Sequence, residues 1–261
     1  MSQLKELLQL DLSYYETFSN RSDKSWGSLF YKENQPNYYD SNHAHILDEC
    51  IHPISVIDEV ISFYQSKQIT PRFYIYNIEK QQRLITELKS RNFGYEELIN
   101  PVQLWNNAVT DIKSTENVSI EEVTKKNYQE ALDIECSITE FGGRESIEKV
   151  FKKQFHHPSF THYLLRLDGI ACSTACMFEE NENARMESVA TLEAYRGRGL
   201  IGEMIRFIQK EVIHRKIEKL WVFPINESIE RVYQKYNFQT ITKFRSGHAF
   251  LSGKSIQEIR E

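Results

Sequence analysis

One stretch constrains the fold more than any other: Glu187-Ser188-Val189-Ala190-Thr191-Leu192-Glu193-Ala194-Tyr195-Arg196-Gly197-Arg198-Gly199-Leu200-Ile201-Gly202. It predicts a strand, a glycine-rich turn and the start of a helix. Three of the ten glycines of the chain fall within six residues here. Glycines so spaced let the backbone take positive φ and approach a ligand closely. The following helix places Ile201, Met204, Ile205, Ile208 and Val212 on one buried stripe. Its N-terminus aims unpaired N–H groups, with about half a positive charge, at whatever sits over the turn, which suits a pyrophosphate. Arg196 and Arg198 add charge-assisted donors. The glycines are spaced two and three apart, but on an arginine-flanked turn late in the chain and without Gly-Lys-Ser/Thr. This sets the stretch apart from a dinucleotide fingerprint and a P-loop.

A chain of 261 residues, 40% apolar and 12% aromatic, is long enough for two packed domains. No window approaches 18 uninterrupted apolar residues, so no membrane partner is expected. The first residues show neither a basic n-region nor an apolar h-region, and the expectation is a cytoplasmic protein. The net charge of −5 and the lack of a long basic run argue against nucleic acid. A third reading, an RNA or DNA binder using the Arg-Gly turn, is poor on the same grounds. Cys50, Cys136, Cys172 and Cys176 show no zinc spacing and read as reduced thiols, with Cys172 and Cys176 on one strand face. His43, His45 and His52 cluster without acidic partners at metal spacing, so no metal is expected.

Periodicity gives a helix over 4–18, strands at 26–31 and 43–47, a helix at 54–66, a strand at 72–76, a helix at 79–89 and strands at 93–98 and 102–105. Residues 106–117 are polar and aperiodic and read as a linker between an N-terminal α/β lobe, 1–112, and a second domain, 118–261. The second domain reads as a strand at 118–123 and helices at 128–139 and 146–155, broken at Gly142-Gly143. Antiparallel strands follow at 162–167, 170–178 and 185–192, then the helix 200–214, a strand at 219–223, a helix at 227–236 and strands at 238–242 and 247–251. The first lobe echoes the end of the second domain in its helix–strand–helix–strand order, with Asn77 standing where Asn226 does and Phe93 where Phe238 does. The Arg-Gly loop has no counterpart there.

Arg196 and Gly199 match the Arg/Gln-x-x-Gly-x-Gly/Ala loop of the GNAT superfamily of N-acetyltransferases. The sixth position is Ile201, and the small residue comes one later, at Gly202. A second segment, Asn226 followed by Tyr233-Gln234-Lys235-Tyr236-Asn237-Phe238, is similar to the family's Asn…Tyr-x-x-x-Gly-Phe ending, with Asn237 in place of Gly. The element order from 118 onward resembles that of the family over about 135 residues. The resemblance implies an α/β (α+β) fold: a GNAT-like mixed, mostly antiparallel sheet flanked by helices, in two lobes, the first a degenerate copy. It implies acetyl-CoA as co-substrate and a primary amine of a small molecule or peptide as acceptor.

The resemblance also assigns roles. Val189, Ala190 and Thr191 would pair with the pantetheine amides, and an N–H near Val189 or Ala190 would polarise the thioester. Arg196, Gly197, Arg198, Gly199, Leu200, Ile201 and Gly202 would hold the pyrophosphate, and Asn226 would touch the pantetheine arm. Tyr233, with an ordinary phenol pKa near 10, aligns with the tyrosine that protonates the departing thiolate. Glu187 is the candidate base, with Glu193 and Glu140 as alternatives. Acceptor specificity would come from residues 141–148 and part of the first lobe. A homodimer is left open. The alternative reading is a CoA-binding GNAT-like module with little or no turnover.

Overall fold

The computed structural model describes residues 3–138 and 144–260. The chain forms two compact units, Met1–Asn100 with Phe244–Glu261, and Pro101–Lys243. The sequence placed the division in the polar stretch 106–117. The contacts divide the chain earlier, and residues 244–261 return to the first unit. Among the described residues no helix is long and apolar enough to cross a membrane.

The second unit contains β6 (Val118–Glu122), α4 (Tyr128–Cys136), α5 (Arg144–His156), β7 (Phe160–Leu167), β8 (Ile170–Glu180), β9 (Asn183–Thr191), α6 (Leu200–His214), β10 (Lys219–Val222) and α7 (Glu227–Gln234). It also takes the end of β5 (Gly94–Trp105) and the start of β11 (Phe238–Phe250). β6 to β9 form an antiparallel meander, β10 joins β9 in parallel, and Gln103 and Leu104 of β5 pair antiparallel with β10. Asp168 (φ 52°) and Gly169 (φ 81°) make the tight turn between β7 and β8, the mirror-image geometry that matches strand twist.

The α6 stripe explains the layer on one face of this sheet. Met204, Ile205, Ile208 and Val212 are fully buried against Ala175, Met177, Met186, Leu220 and Val222. Each such side chain contributes about 1.5–3 kcal/mol of burial. On the other face α4 and α5 bury Ala131, Leu132, Ile134, Ile147 and Phe151 over Leu164 and Ala190.

The first unit contains α1 (Gln3–Glu16), the hairpin β1 (Asn20–Lys24) and β2 (Gly27–Tyr31), β3 (His43–Ile46), α2 (Pro53–Ser66), β4 (Arg72–Ile75) and α3 (Gln82–Ser90). It also holds most of β5, the end of β11 and the short α8 (Ile256–Arg260). β2 pairs antiparallel with β3, β3 parallel with β4, and β4 antiparallel with Gly247 to Phe250 of β11. Val56, Ile57 and Val60 of α2 and Leu84, Ile85 and Leu88 of α3 pack on Ala44, Ile46, Phe73 and Ile75. The predicted echo is present in the order of elements: β3–α2–β4–α3–β5 in the first half, β9–α6–β10–α7–β11 in the second. In each, a helix links two parallel strands.

Several sequence expectations need correction. The polar strand β1 was not predicted, because its sequence NRSDK has no apolar alternation. Side chains hold it instead, with Ser28 Oγ donating to Asp23 at 2.7 Å and Arg21 Nε donating to the same oxygen at 2.7 Å. The strands expected at 93–98 and 102–105 are one strand, β5, that runs through Pro101, and those at 238–242 and 247–251 are one strand, β11. Gly247 is not a break: a Cβ there would lie 2.8 Å from Tyr95 Oη, so the strand needs glycine for close packing. Cys172 and Cys176 lie on opposite faces. The β7–β8 register slips between Leu165 and Arg166 beside Cys172, which reverses the alternation. Cys172 then packs in the α6-side core, while Cys176 faces His162. The Gly142-Gly143 break and Glu140 lie outside the described residues.

Candidate active site

The parallel pairing of β9 and β10 covers Asn183, Ala184 and Arg185 only. β9 continues to Thr191, whereas β10 ends at Val222. Beyond Arg185 the β10-facing edge of β9 has no partner strand among the described residues. Ser188 accounts for the divergence. It sits at φ 49°, in the left-handed region, and the register with β8 slips there: Thr174 pairs with Ala190 but Cys176 with Glu187. A bulge of this kind bends a strand and re-aims its side chains. Val189, Ala190 and Thr191 therefore lie on a strand edge with no partner strand among the described residues. Ser173 Oγ fixes the segment from behind, donating to Ala190 O at 2.6 Å.

The edge leads into a short helical turn, Glu193–Tyr195, then the glycine turn. Gly197 (φ 76°) and Gly199 (φ 77°) are left-handed, and a Cβ on either would meet nothing within 4 Å, so the turn is open on its outer side. Gly199 is the N-cap of α6. The amides of Gly197, Arg198, Gly199, Leu200 and Ile201 have no hydrogen-bond partner among the described residues; the first paired amide of the helix is Gly202 N, to Gly199 O at 2.9 Å. The two arginines fold back over the preceding turn, Arg196 Nε donating to Thr191 O at 3.2 Å and Arg198 Nη2 to Ala194 O at 3.2 Å. Neither pairs with a carboxylate among the described residues. The unpaired amides and the two guanidiniums thus share the N-terminal end of α6.

The side chains at the end of the turn have other work. Leu200 is buried and Ile201 packs against the α6-side core, so the isoleucine at 201 points away from the open amides. Gly202 is needed for packing: an added Cβ would lie 2.5 Å from Tyr236 Oη.

α7 follows β10 in the chain. Asn226 caps it, its Oδ1 accepting from Ile229 N at 2.9 Å, which leaves Nδ2 without a partner among the described residues. Asn77, its counterpart in the sequence echo, instead sits at φ 50° and donates to Leu47 O. Tyr233 on α7 is 6% exposed, packs edge-on against Phe238, and its hydroxyl has no partner among the described residues. Burial pushes its phenol far above the ordinary range, and the charge of Glu187 adds to the rise. The structure thus brings Tyr233 and Glu187 within electrostatic range of each other from different elements. Glu187 is half-buried and ion-paired with Arg185, whose guanidinium stacks on Phe223 at 4.4 Å. Arg185 was missed in the sequence, although its place two residues before Glu187 on a strand puts both on one face. The bulge at Ser188 left no sequence signal. Glu193 is exposed at the turn.

The first unit lacks this opening. Its β3–β4 pairing runs to the end, continued by Tyr76 N to Ile46 O at 2.8 Å. The Gln81 side chain fills the loop before α2, accepting from Cys50 N at 3.1 Å and donating to Asp48 O at 2.6 Å. His43 and His45 are buried against Tyr15, Phe30 and Tyr74. Among the described residues no group of His, Cys, Asp and Glu could hold a metal ion.

Residues 127–238 match the model of the Acetyltransferase (GNAT) family. A GCN5-related N-acetyltransferase from Kribbella flavida is similar over 99% of both chains, with a TM-score of 0.72 at 14% identity. A functionally unknown conserved protein from Staphylococcus epidermidis is similar over 91% of this chain and 96% of that one, with a TM-score of 0.73 at 10% identity. A tandem GNAT protein from the clavulanic acid biosynthesis pathway is similar over 82% of this chain and 76% of that one, with a TM-score of 0.55 at 10% identity. At these identities the likeness is one of fold. No curated protein matches the sequence.

Proposed function

We propose that the GNAT acetyltransferase domain formed by residues 127–238 moves an acetyl group from acetyl-CoA to a primary amine by direct transfer. The observation that carries this reading is the β9 edge without a partner strand among the described residues, which leads through the turn Glu193–Tyr195 to the unpaired amides of residues 197–201. An extended pantetheine arm can add to the β9 edge as a strand, with main-chain hydrogen bonds at Val189, Ala190 and Thr191. Its pyrophosphate then reaches the α6 N-terminus, Arg196 and Arg198. Asn226 Nδ2 donates to the arm from the opposite side. Held so, the thioester lies beside the acceptor at high effective concentration.

Glu187 takes a proton from the ammonium, since only the free amine attacks. The amine nitrogen bonds to the thioester carbon, and a β9 backbone N–H stabilises the oxyanion. The C–S bond then breaks, Tyr233, held protonated by burial, donates to the thiolate, and the second proton of the attacking nitrogen passes to the phenolate and restores it. The ion pair of Glu187 with Arg185 favours the second reading, a CoA-binding module of low turnover, because it occupies one carboxylate oxygen.

Free CoA release from acetyl-CoA, followed with a thiol reagent in the presence of spermidine, single amino acids or a peptide with a free N-terminus, separates the two. Amine-dependent release supports transfer. Acetyl-CoA binding without release from any of these amines supports the module.

A further inference from the structure

On the α4–α5 face of the second unit's sheet runs a polar row that the mechanism above leaves unused. His162 on β7 lies opposite Cys176 on β8, and Cys176 opposite Glu187 on β9. Directly opposed residues share a face, so the three side chains stand in line. Glu135 on α4 covers the inner end. Cys176 Sγ is 3.6 Å from His162 Nε2, and His162 Nδ1 is 3.7 Å from Glu135 Oε1. Glu135 and His162 are 3% exposed and Cys176 is wholly buried, whereas Glu187 is half-buried. Neither Glu135 Oε1 nor His162 Nδ1 has a hydrogen-bond partner among the described residues. The wall around them is apolar, with Phe151 of α5 at 4.5 Å from the imidazole. A carboxylate in such a place, short of hydrogen bonds, costs stability that an apolar residue would not. The row is also not a metal site, since no described group could hold an ion.

We propose that Glu135, His162 and Cys176 form a proton relay behind Glu187, with His162 as the terminal acceptor. This rests on the acetyl-transfer reading. The proton that leaves the ammonium goes to the Glu187 carboxylate. Glu187 passes a proton to Cys176 Sγ as the thiol proton moves to His162 Nε2, so Cys176 ends as a thiol again. The resulting imidazolium is balanced by the Glu135 carboxylate, and the charge is conserved along the row. The scheme requires the His162 tautomer that carries its proton on Nδ1, facing Glu135, with Nε2 accepting from the thiol. Among the described residues, the titratable groups facing His162 are Glu135 from α4 and Cys176 from β8; α5 presents only Phe151. His162, Cys176 and Glu135 are positioning residues, since they act through Glu187.

Two measurements on the full chain test the relay. In the first, the protein is labelled with ¹⁵N-histidine and the His162 signals are assigned by their loss in His162→Gln. The expected spectrum shows the Nδ1–H tautomer, with the Nε2 shift moving in Cys176→Ala and also in Glu187→Gln, which does not touch the ring. The opposite tautomer, or an Nε2 shift deaf to Glu187→Gln, overturns the relay. In the second, kcat is followed against pH with the panel amine that releases CoA fastest. His162→Gln and Glu135→Gln should lower kcat about tenfold near neutral pH, and the loss should shrink as pH rises and free amine comes to dominate. The dissociation constant of acetyl-CoA should not change. An equal loss at every pH marks a structural role and overturns the proposal. Should those variants not fold, Cys176→Ser, which can still pass a proton, should keep the wild-type pH profile while Cys176→Ala does not; matching behaviour of the two overturns it. A wild-type chain inert toward every amine fails the acetyl-transfer reading itself, whereas an active wild type with unmoved variants fails only the relay.

Discussion

Tyr233 on α7 and Glu187 on β9 lie within electrostatic range of each other, and the difference between them is how each is held. Tyr233 is packed among apolar side chains, its hydroxyl without a partner among the described residues, so removing the oxygen should leave the packing intact. Tyr233→Phe should keep acetyl-CoA affinity in calorimetry and lower kcat about 10²- to 10⁴-fold, as loss of a general acid does. A weakened affinity with unchanged kcat would show that the ring only packs. Tyr233 was legible in the sequence because a helix stripe and a motif both pointed to it. Its nearness to Glu187 was not, since it depends on the bulge at Ser188, and a serine at positive φ carries no residue-type signature. Gly202 shows a related limit. The sequence grouped it with the phosphate turn, but its missing Cβ makes room for Tyr236. Gly202→Ala should destabilise the domain by about 1–3 kcal/mol through overpacking. In a Tyr236→Ala background that cost should vanish in denaturant unfolding, and persistence of the full cost would contradict this packing account.

At the scale of elements, periodicity found α6, β9 and their order, since both have one buried face. It failed where polar side chains do the fixing. Residues 106–117 read as a linker because they lack any apolar period, yet α6 holds them. Gln209 Oε1 accepts from Thr110 N at 2.9 Å, Glu203 Oε1 from Thr115 N at 2.6 Å, and Arg206 donates to Ile112 O at 3.3 Å and Ser114 Oγ at 2.8 Å. Gln209 is fully buried and its Nε2 also donates to Tyr236 O at 2.7 Å. The segment is a strap on α6, and a run of polar residues along a helix was the only sequence hint of it. Gln209→Ala should cost about 1–3 kcal/mol, because it leaves a buried backbone N–H and C=O unsatisfied. Hydrogen exchange should speed up at Thr110 in that variant, and unchanged protection there would contradict the strap.

At the scale of the whole molecule, the buried histidines of the first unit, His45 and His248 beside His43, set a pH dependence of stability. Burial holds His45 down to about 3 and His248 down to about 4. His248 sits between Arg72 Nη1 at 3.1 Å and Glu96 Oε1 at 2.6 Å, and the same carboxylate accepts from Ile256 N at 2.6 Å at the start of α8. Both histidines are neutral when folded, while the unfolded chain takes up protons below about pH 6.5. Their contribution is therefore complete above that pH and is lost as pH falls toward 4. The unfolding midpoint should drop over this window, less steeply in His248→Gln, and a midpoint flat from pH 7 to pH 4.5 would contradict it.

The two halves share an element order, which the sequence showed, but only one carries an open strand edge and a glycine turn. The closed β3–β4 pairing and the Gln81-filled loop depend on side-chain placement that no motif announces. Titration calorimetry of acetyl-CoA into the full chain tests this account most directly. It predicts one site per chain, strongly weakened by Gly199→Val, which forces a β-branched residue into the left-handed N-cap of α6. Two sites per chain, no binding at millimolar acetyl-CoA, or full affinity in Gly199→Val would contradict it.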